Sequence, residues 1–346
     1  MKNSRIYLLV LLLMSFFIWT CRHGRENTPD VRTLSVTTEL IPFWQLMETA
    51  GFSTDSAALQ KLTLQYPAFT EIYFNQMLGQ QPFDPIRFKD SLGPWLQSPF
   101  MRTLQHNVDS IYGDFAPWAA EFEQAFKYLK YYFPDQPTPK IYTYNSELGI
   151  ANMIFEDGEM DALGIGLEFF LHGVIPYKNI DPMNPNFSDY VVRTFNQDHL
   201  VKKALESWVD DQVTPVKNQQ MLDYLIRHGK KLYILEKIIP GEQDTVIFEY
   251  TPAQITWCRE NEAQIWAYFL QEKLIYEQEM RKVQRYVFPA PTSAGMPDGA
   301  PGRTGDFVGY KIVQAYMNRH PQTTLSELAQ NTDAQVIMDG ARYRPK

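Results

Sequence analysis

The stretch Met221–Pro240, MLDYLIRHGKKLYILEKIIP, decides how the rest of the chain is read. Leu222, Leu225, Ile226, Gly229, Leu232 and Tyr233 recur at three- and four-residue steps, which gives one apolar face on an α-helix. Asp223, Arg227, Lys230, Lys231 and Lys237 fall mostly on the other face. Gly229 inside such a pattern costs about 1 kcal/mol against alanine, so its presence predicts a close backbone contact. The helix is expected to run over 216–239. In a catalytic protein of this layout a buried helix would carry metal-binding histidines, and this one offers only His228.

Outward from it, the chain of 346 residues is long enough for one large domain or two ordinary ones. A net charge of -8 argues against general nucleic-acid binding, which needs a basic footprint to displace phosphate counterions. At the N-terminus, Lys2 and Arg5 precede an apolar run from Ile6 to Trp19, too short for a membrane span and suited to a secretory signal over residues 1–20. The run ends at Ile18-Trp19-Thr20-Cys21, similar to a loose bacterial lipobox, so Cys21 is the expected lipidation site. An ordinary signal peptide with an accidental cysteine is the competing reading. Residues 21–32 read as a polar tether and 33–346 as a single α-rich domain. The expected attachment is to a membrane through lipid alone, facing the periplasm, with inner and outer membrane both open. Cys258 is the one other cysteine and has no neighbouring activating group in sequence, so it reads as a buried, inert thiol.

Helical periodicity is strongest over Phe115–Tyr132, with Trp118, Phe122, Phe126 and Leu129 on one face. Three prolines between Phe133 and Pro139 end it. Lys140–Tyr144, Ile150–Phe155 and Met160–Phe170 read as strands, with an Asp157-Gly158 turn between the last two. Gly164-Ile165-Gly166 lacks the third glycine and lysine of a phosphate loop and reads as part of a packed or edge strand. Thr251 and Pro252 predict a helix start, 289–302 a Pro/Gly loop, Arg303–Met317 a last strong helix, and Ser326–Asp339 a short one. The expected class is α+β, predominantly helical, with a small sheet.

Neither HExxH nor a G-x-S-x-G elbow occurs, and the six histidines form no i,i+4 pair. Paired carboxylates at Glu121/Glu123 and Glu156/Asp157/Glu159 read as solvated charge. Arg303, between Gly302 and Gly305, could approach a carboxylate or phosphate closely. The competing reading pairs it to an internal acid such as Glu262.

The lipobox, then YYFPDQPTPKIYTY (131–144), ALGIGLEFFL (162–171), Met221–Pro240, WCRENEAQIWAYFLQEKLIY (257–276) and PGRTGDFVGYKIVQAYM (301–317) resemble, in order and style, the gliding-motility lipoprotein GldB family of Bacteroidetes. The likeness spans roughly residues 110–346. The family is similar to secreted zinc peptidases of the zincin fold, which carry HExxH on one helix and a glutamate on another. That resemblance places the first His and Glu near Arg227 and His228 and the second His near Lys231, none of which has the required identity. Asn261-Glu262 resembles the second-helix element, leaving Glu262 as a lone remnant. One carboxylate cannot hold catalytic zinc, which needs three protein ligands and an open position.

The resemblance therefore implies a degenerate zincin-like domain without catalytic residues, metal or cofactor. Arg227, His228, Lys231, Glu262 and Arg303 would mark a vestigial cleft. Its expected role is that of an envelope accessory or scaffold protein with partners in gliding or type IX secretion machinery. An envelope hydrolase with an unrecognised site is the alternative. A glycan- or peptide-binding lipoprotein using an aromatic cleft between the sheet and helix 221–240 is a third.

Overall fold

Alternation along two strands explains how the sheet divides the protein. In a computed structural model, which describes residues 28–52, 57–79 and 85–345, four strands pair in the order β1-β2-β4-β3. These are β1 (Leu40–Ile41), β2 (Lys140–Tyr144), β3 (Asn152–Asp157) and β4 (Met160–Gly166). β1, β2 and β4 are parallel, and β3 returns antiparallel to β4 as a hairpin edge. Successive side chains point to opposite faces. Ile141, Leu163 and Ile165 enter the main core, while Tyr142, Tyr144 and Ala162 enter a smaller aromatic one with Phe43, Phe69 and Tyr73.

The register sets Tyr142 opposite Gly164 and Tyr144 opposite Gly166. A Cβ on Gly164 would lie 2.7 Å from Met153 Cγ and 3.1 Å from Tyr144 Cε1, so this glycine makes room for an aromatic ring. The Gly-Ile-Gly sequence is thus a packed central strand.

Helices fill the rest. On the aromatic side lie α1 (Phe43–Phe52), α2 (Ala57–Gln65) and a turn from Pro67 that continues as a π-helix over Ile72–Met77. Next come α3 (Pro85–Leu96), α4 (Pro99–Tyr112) and α5 (Ala116–Tyr132). α6 (Leu200–Gln212) lies against β3 and β4 and packs on α7 (Met221–Ile238). α8 (Pro252–Glu260), α9 (Glu262–Gln271), α10 (Met280–Val287), α11 (Thr304–Arg319) and α12 (Ala334–Ala341) complete the chain. Residues from Val31 onward form one compact unit. Among the described residues no helix is long and apolar enough to cross a membrane. Cys21 and the expected signal lie outside the described residues.

The closest helix pair is α7 with α11, and it is built on missing side chains. A Cβ on Gly229 would fall 2.2 Å from the carbonyl oxygen of Gly309, and one on Gly309 would fall 1.9 Å from that of Leu225. Neither position can carry a methyl group while the backbones stay this close. The contact expected at Gly229 is therefore present, with Gly309 as its partner.

Several expected boundaries move for local reasons. α7 starts at Met221 rather than 216, because the Gln220 amide donates to Asp223 Oδ2 at 2.9 Å and Gln219 is left-handed. Thr251 caps α8 as expected, through a reciprocal bond pair with Gln254. Arg303 precedes α11 rather than opening it, with φ of 59°. The C-terminal segment is two helices, Leu325–Gln330 and α12, because Asp333 caps a second start on Val336. α10 was not expected at all.

Candidate functional site

Two stripes of charge face each other across α6 and α7. On α6, Lys202, Glu206 and Asp210 follow at four-residue steps, so they share a face beside the buried Leu205, Trp208 and Val209. On α7, Arg227 and Lys231 do the same. Asp210 Oδ1 takes Arg227 Nη1 at 2.8 Å and Lys231 Nζ at 2.7 Å. Lys202 Nζ, 1 % exposed, donates to Glu206 at 2.8 Å and Glu249 at 2.9 Å. Burial alone would lower the Lys202 ammonium and raise the Glu206 and Asp210 carboxyls. The surrounding opposite charges outweigh that penalty and keep all three ionised.

Glu249 is the hub. Lys202, Lys203 and Arg303 reach its carboxylate at 2.9, 2.8 and 3.3 Å. Burial works to raise this carboxyl, but Lys202, Lys203 and Arg303 hold it well below the usual carboxylate range. Arg303 also donates to the carbonyl of Phe248 at 2.8 Å and lies 3.8 Å from Asp306, which in turn bonds His228 Nδ1 at 2.7 Å. Burial would lower the Arg303 guanidinium; Glu249 and Asp306 raise it instead. Glu249 and Arg303 both adopt left-handed backbone conformations, φ 54° and 59°, uncommon for residues other than glycine. The pair is thus held in a locally unfavourable backbone by its surroundings.

Three adjoining cavities surround this network. One of about 300 Å³ is lined by Arg227, His228, Lys231, Arg303, Glu206 and Asp306, among others. It brings together four of the five residues expected to mark a cleft. Glu262 is not among the lining residues. It accepts from Tyr343 Oη at 2.9 Å and faces Lys311 at 3.6 Å, near α11 and the C-terminus. The expected Arg303–Glu262 pair is replaced by Arg303 with Glu249 and Asp306, while Glu262 pairs with Tyr343 and Lys311.

A second cavity of about 340 Å³ runs from Asn152 and Phe170 at the sheet to Lys203, Glu206 and Lys231. A third, of about 110 Å³, lies between Arg193, Lys203, Glu249 and Arg303. The helix that closes on the sheet here is α6, not helix 221–240, and charged groups outnumber rings in the cleft. Lys202, Lys203, Glu206, Asp210 and Glu249 were missed from sequence. The four-residue spacing of Lys202, Glu206 and Asp210 was the available signal for α6; nothing local marks Glu249.

Among the described residues, no three His, Cys, Asp or Glu side chains converge in a way that could hold a metal ion. Cys258 is free and buried, its thiol pushed up to about 12 by burial. A search of curated proteins and a search of solved structures each returned no match. The family described as gliding motility protein GldB matches over residues 24–345. The chain belongs to the GldB family. The name links it to gliding motility and, through the family's lipoprotein designation, to attachment at a membrane.

Proposed function

We propose that this GldB-family protein is a non-catalytic accessory component of the cell envelope. Lipid on Cys21 anchors it to the inner or outer membrane on the periplasmic side, and its helical body docks proteins of the gliding and secretion machinery. The zincin-like ancestry implied by the resemblance belongs to this reading, with α7 in the position of the metal-binding helix and Arg227, His228 and Lys231 lining the cleft.

One observation carries it. Each of the carboxylates at the cleft, Glu206, Asp210, Glu249 and Asp306, is already bonded to a basic side chain of the same protein. A general base needs a pKa near the working pH and a free lone pair toward substrate. Glu249, held far below that range, lacks the first property.

The test is made on the full chain purified from native membranes. Metal analysis should find no stoichiometric zinc, and Cys21→Ser should move the protein out of the membrane fraction. Crosslinking in intact cells should capture envelope proteins in a manner that depends on Cys21. Stoichiometric zinc that disappears in Glu206→Gln, together with peptide hydrolysis, would establish the hydrolase reading instead.

A further inference from the structure

Positive charge exceeds negative charge at one end of the cleft, in a protein whose net charge is -8. Arg193, Lys202, Lys203, Arg227, Lys231 and Arg303 gather around four carboxylates, Glu206, Asp210, Glu249 and Asp306. The surplus is not spread evenly. Asp210 serves Arg227 and Lys231, Glu206 serves Lys202, and Asp306 is shared by His228 and Arg303, while four cations, Arg193, Lys202, Lys203 and Arg303, gather at Glu249. There Glu249 takes Lys202, Lys203 and Arg303, of which Lys202 also bonds Glu206 and Arg303 also faces Asp306. Arg193 adds another guanidinium, whose hydrogen bond goes to the backbone carbonyl of Glu249 at 2.7 Å rather than to a carboxylate.

Neighbouring groups register this field. Burial lowers the Arg193 guanidinium, and Arg303 lowers it further, against the pull of Glu249. His199 is pushed down to about 4 by burial, with Lys203, Lys202 and Arg193 adding to the effect against Glu249.

The 110 Å³ cavity opens between these groups, with Tyr190, Thr194, Tyr250 and Gln254 on its walls. It adjoins the 300 Å³ cavity through Arg303 and Pro289. Partly desolvated cations without matching anions are costly to keep, and two guanidiniums with an ammonium form the donor set that planar or tetrahedral oxyanions accept.

We propose that the cavity bounded by Arg193, Lys203 and Arg303 binds an oxyanion, a phosphate or carboxylate group of a larger ligand whose body lies in the adjoining cleft. The site is independent of the accessory-protein reading, since recognition of an anion requires neither catalysis nor its absence.

The experiment titrates the full chain in detergent with sodium phosphate and, separately, sodium acetate, against sodium chloride at constant ionic strength, by calorimetry and thermal unfolding. A saturable rise in Tm beyond chloride is expected, because a ligand bound to the folded state stabilises it. Phosphate alone saturating assigns the site to phosphate-bearing ligands; acetate binding of equal or greater strength assigns it to carboxylate-bearing ones. Arg193→Gln should weaken binding about tenfold or more.

Gln254→Glu keeps the bond from the Thr251 amide and sets a carboxylate at the cavity wall. It should raise Tm without ligand and also weaken phosphate binding. Neither anion exceeding chloride overturns the proposal. So does a Gln254→Glu protein that binds like the parent, whether or not Arg193→Gln folds.

Discussion

Glu168 and Glu249 are both held inside the protein, yet their carboxyls are displaced in opposite directions. Glu168 follows β4, is fully buried, and accepts from the Ser146 amide and hydroxyl at 2.7 and 2.8 Å and from the Leu148 amide at 3.3 Å. All these donors are neutral and all reach Oε1; Oε2 has no hydrogen-bond partner. Burial dominates the Ser146 and Leu148 bonds, and the carboxyl is pushed up to about 7. Glu249 is taken out of water too, with its side chain 13 % exposed, but its partners are ammonium and guanidinium groups. What decides the sign is the charge of the donors rather than their number. Glu168 ties the left-handed Glu147–Leu148 turn to the sheet; Glu249 gathers cations around a cleft.

That contrast can be broken most directly at Glu249. Glu249→Gln leaves Lys202, Lys203 and Arg303 facing one another and should cost about 3–5 kcal/mol in chemical denaturation near neutral pH. A loss below about 1 kcal/mol would mean that water already screens the network.

The next effect is a pH dependence. The folded pKa of Glu168 lies above its ordinary value of 4.5, so the folded state binds the proton more tightly. Its contribution is most favourable below about 4.5 and is lost as pH rises through about 7, a change of about 3 kcal/mol. His199 runs the other way: lowered to about 4 from 6.5, it weakens the fold as pH falls through that window. The two offset each other in the parent. Removing Glu168 should unmask His199, so Glu168→Gln is expected to gain stability between pH 4 and 6.5 more steeply than the parent. Parallel profiles for the two proteins would refute the raised pKa. Glu249, being depressed, contributes above its ordinary pKa and loses that contribution only at lower pH.

Ser146→Ala sharpens the comparison by removing one neutral donor. It should cost about 2 kcal/mol at pH 8, where the carboxyl is charged, and less at pH 5. Equal losses at both pH values would make the hydroxyl's role one of packing. The smallest effect is expected at Lys203→Gln, about 1 kcal/mol or less, because Lys202 and Arg303 still hold Glu249. A loss approaching that of Glu249→Gln would show that cations are not in surplus at the cleft.

Much of the fold was legible because its signals are local. The periodicity of α5 and α7, the Thr251-Pro252 start of α8, the prolines after Phe133 and the Asp157-Gly158 turn each sit within a few residues of what they determine. Gly229 was legible as a close approach, although its partner Gly309 lies 80 residues away and carries no mark of its own. The cleft was only half legible. Arg227, His228, Lys231 and Arg303 converge on one cavity, whereas Glu262, which the resemblance adds to them, lies outside its lining. Glu249 sits two residues after the one-turn helix Asp244–Ile247, and only tertiary packing brings it to Lys202 and Arg303. Ion pairs between distant segments leave no periodic trace, which is why the pairing of Lys202 with Glu249 could not be read from the sequence.

The crossing of Gly229 over Gly309 has a mechanical meaning for the cleft. A helix that touches its neighbour through side chains can roll by swapping rotamers. One that rests backbone on backbone has no rotamer to swap, because the Gly309 carbonyl already lies against Gly229 and the Leu225 carbonyl against Gly309. The contact works like a key cut into a shaft. It fixes the angle at which Arg227, His228 and Lys231 leave the axis, so a change of shape in the cleft must come from α6 or from the loop before α11.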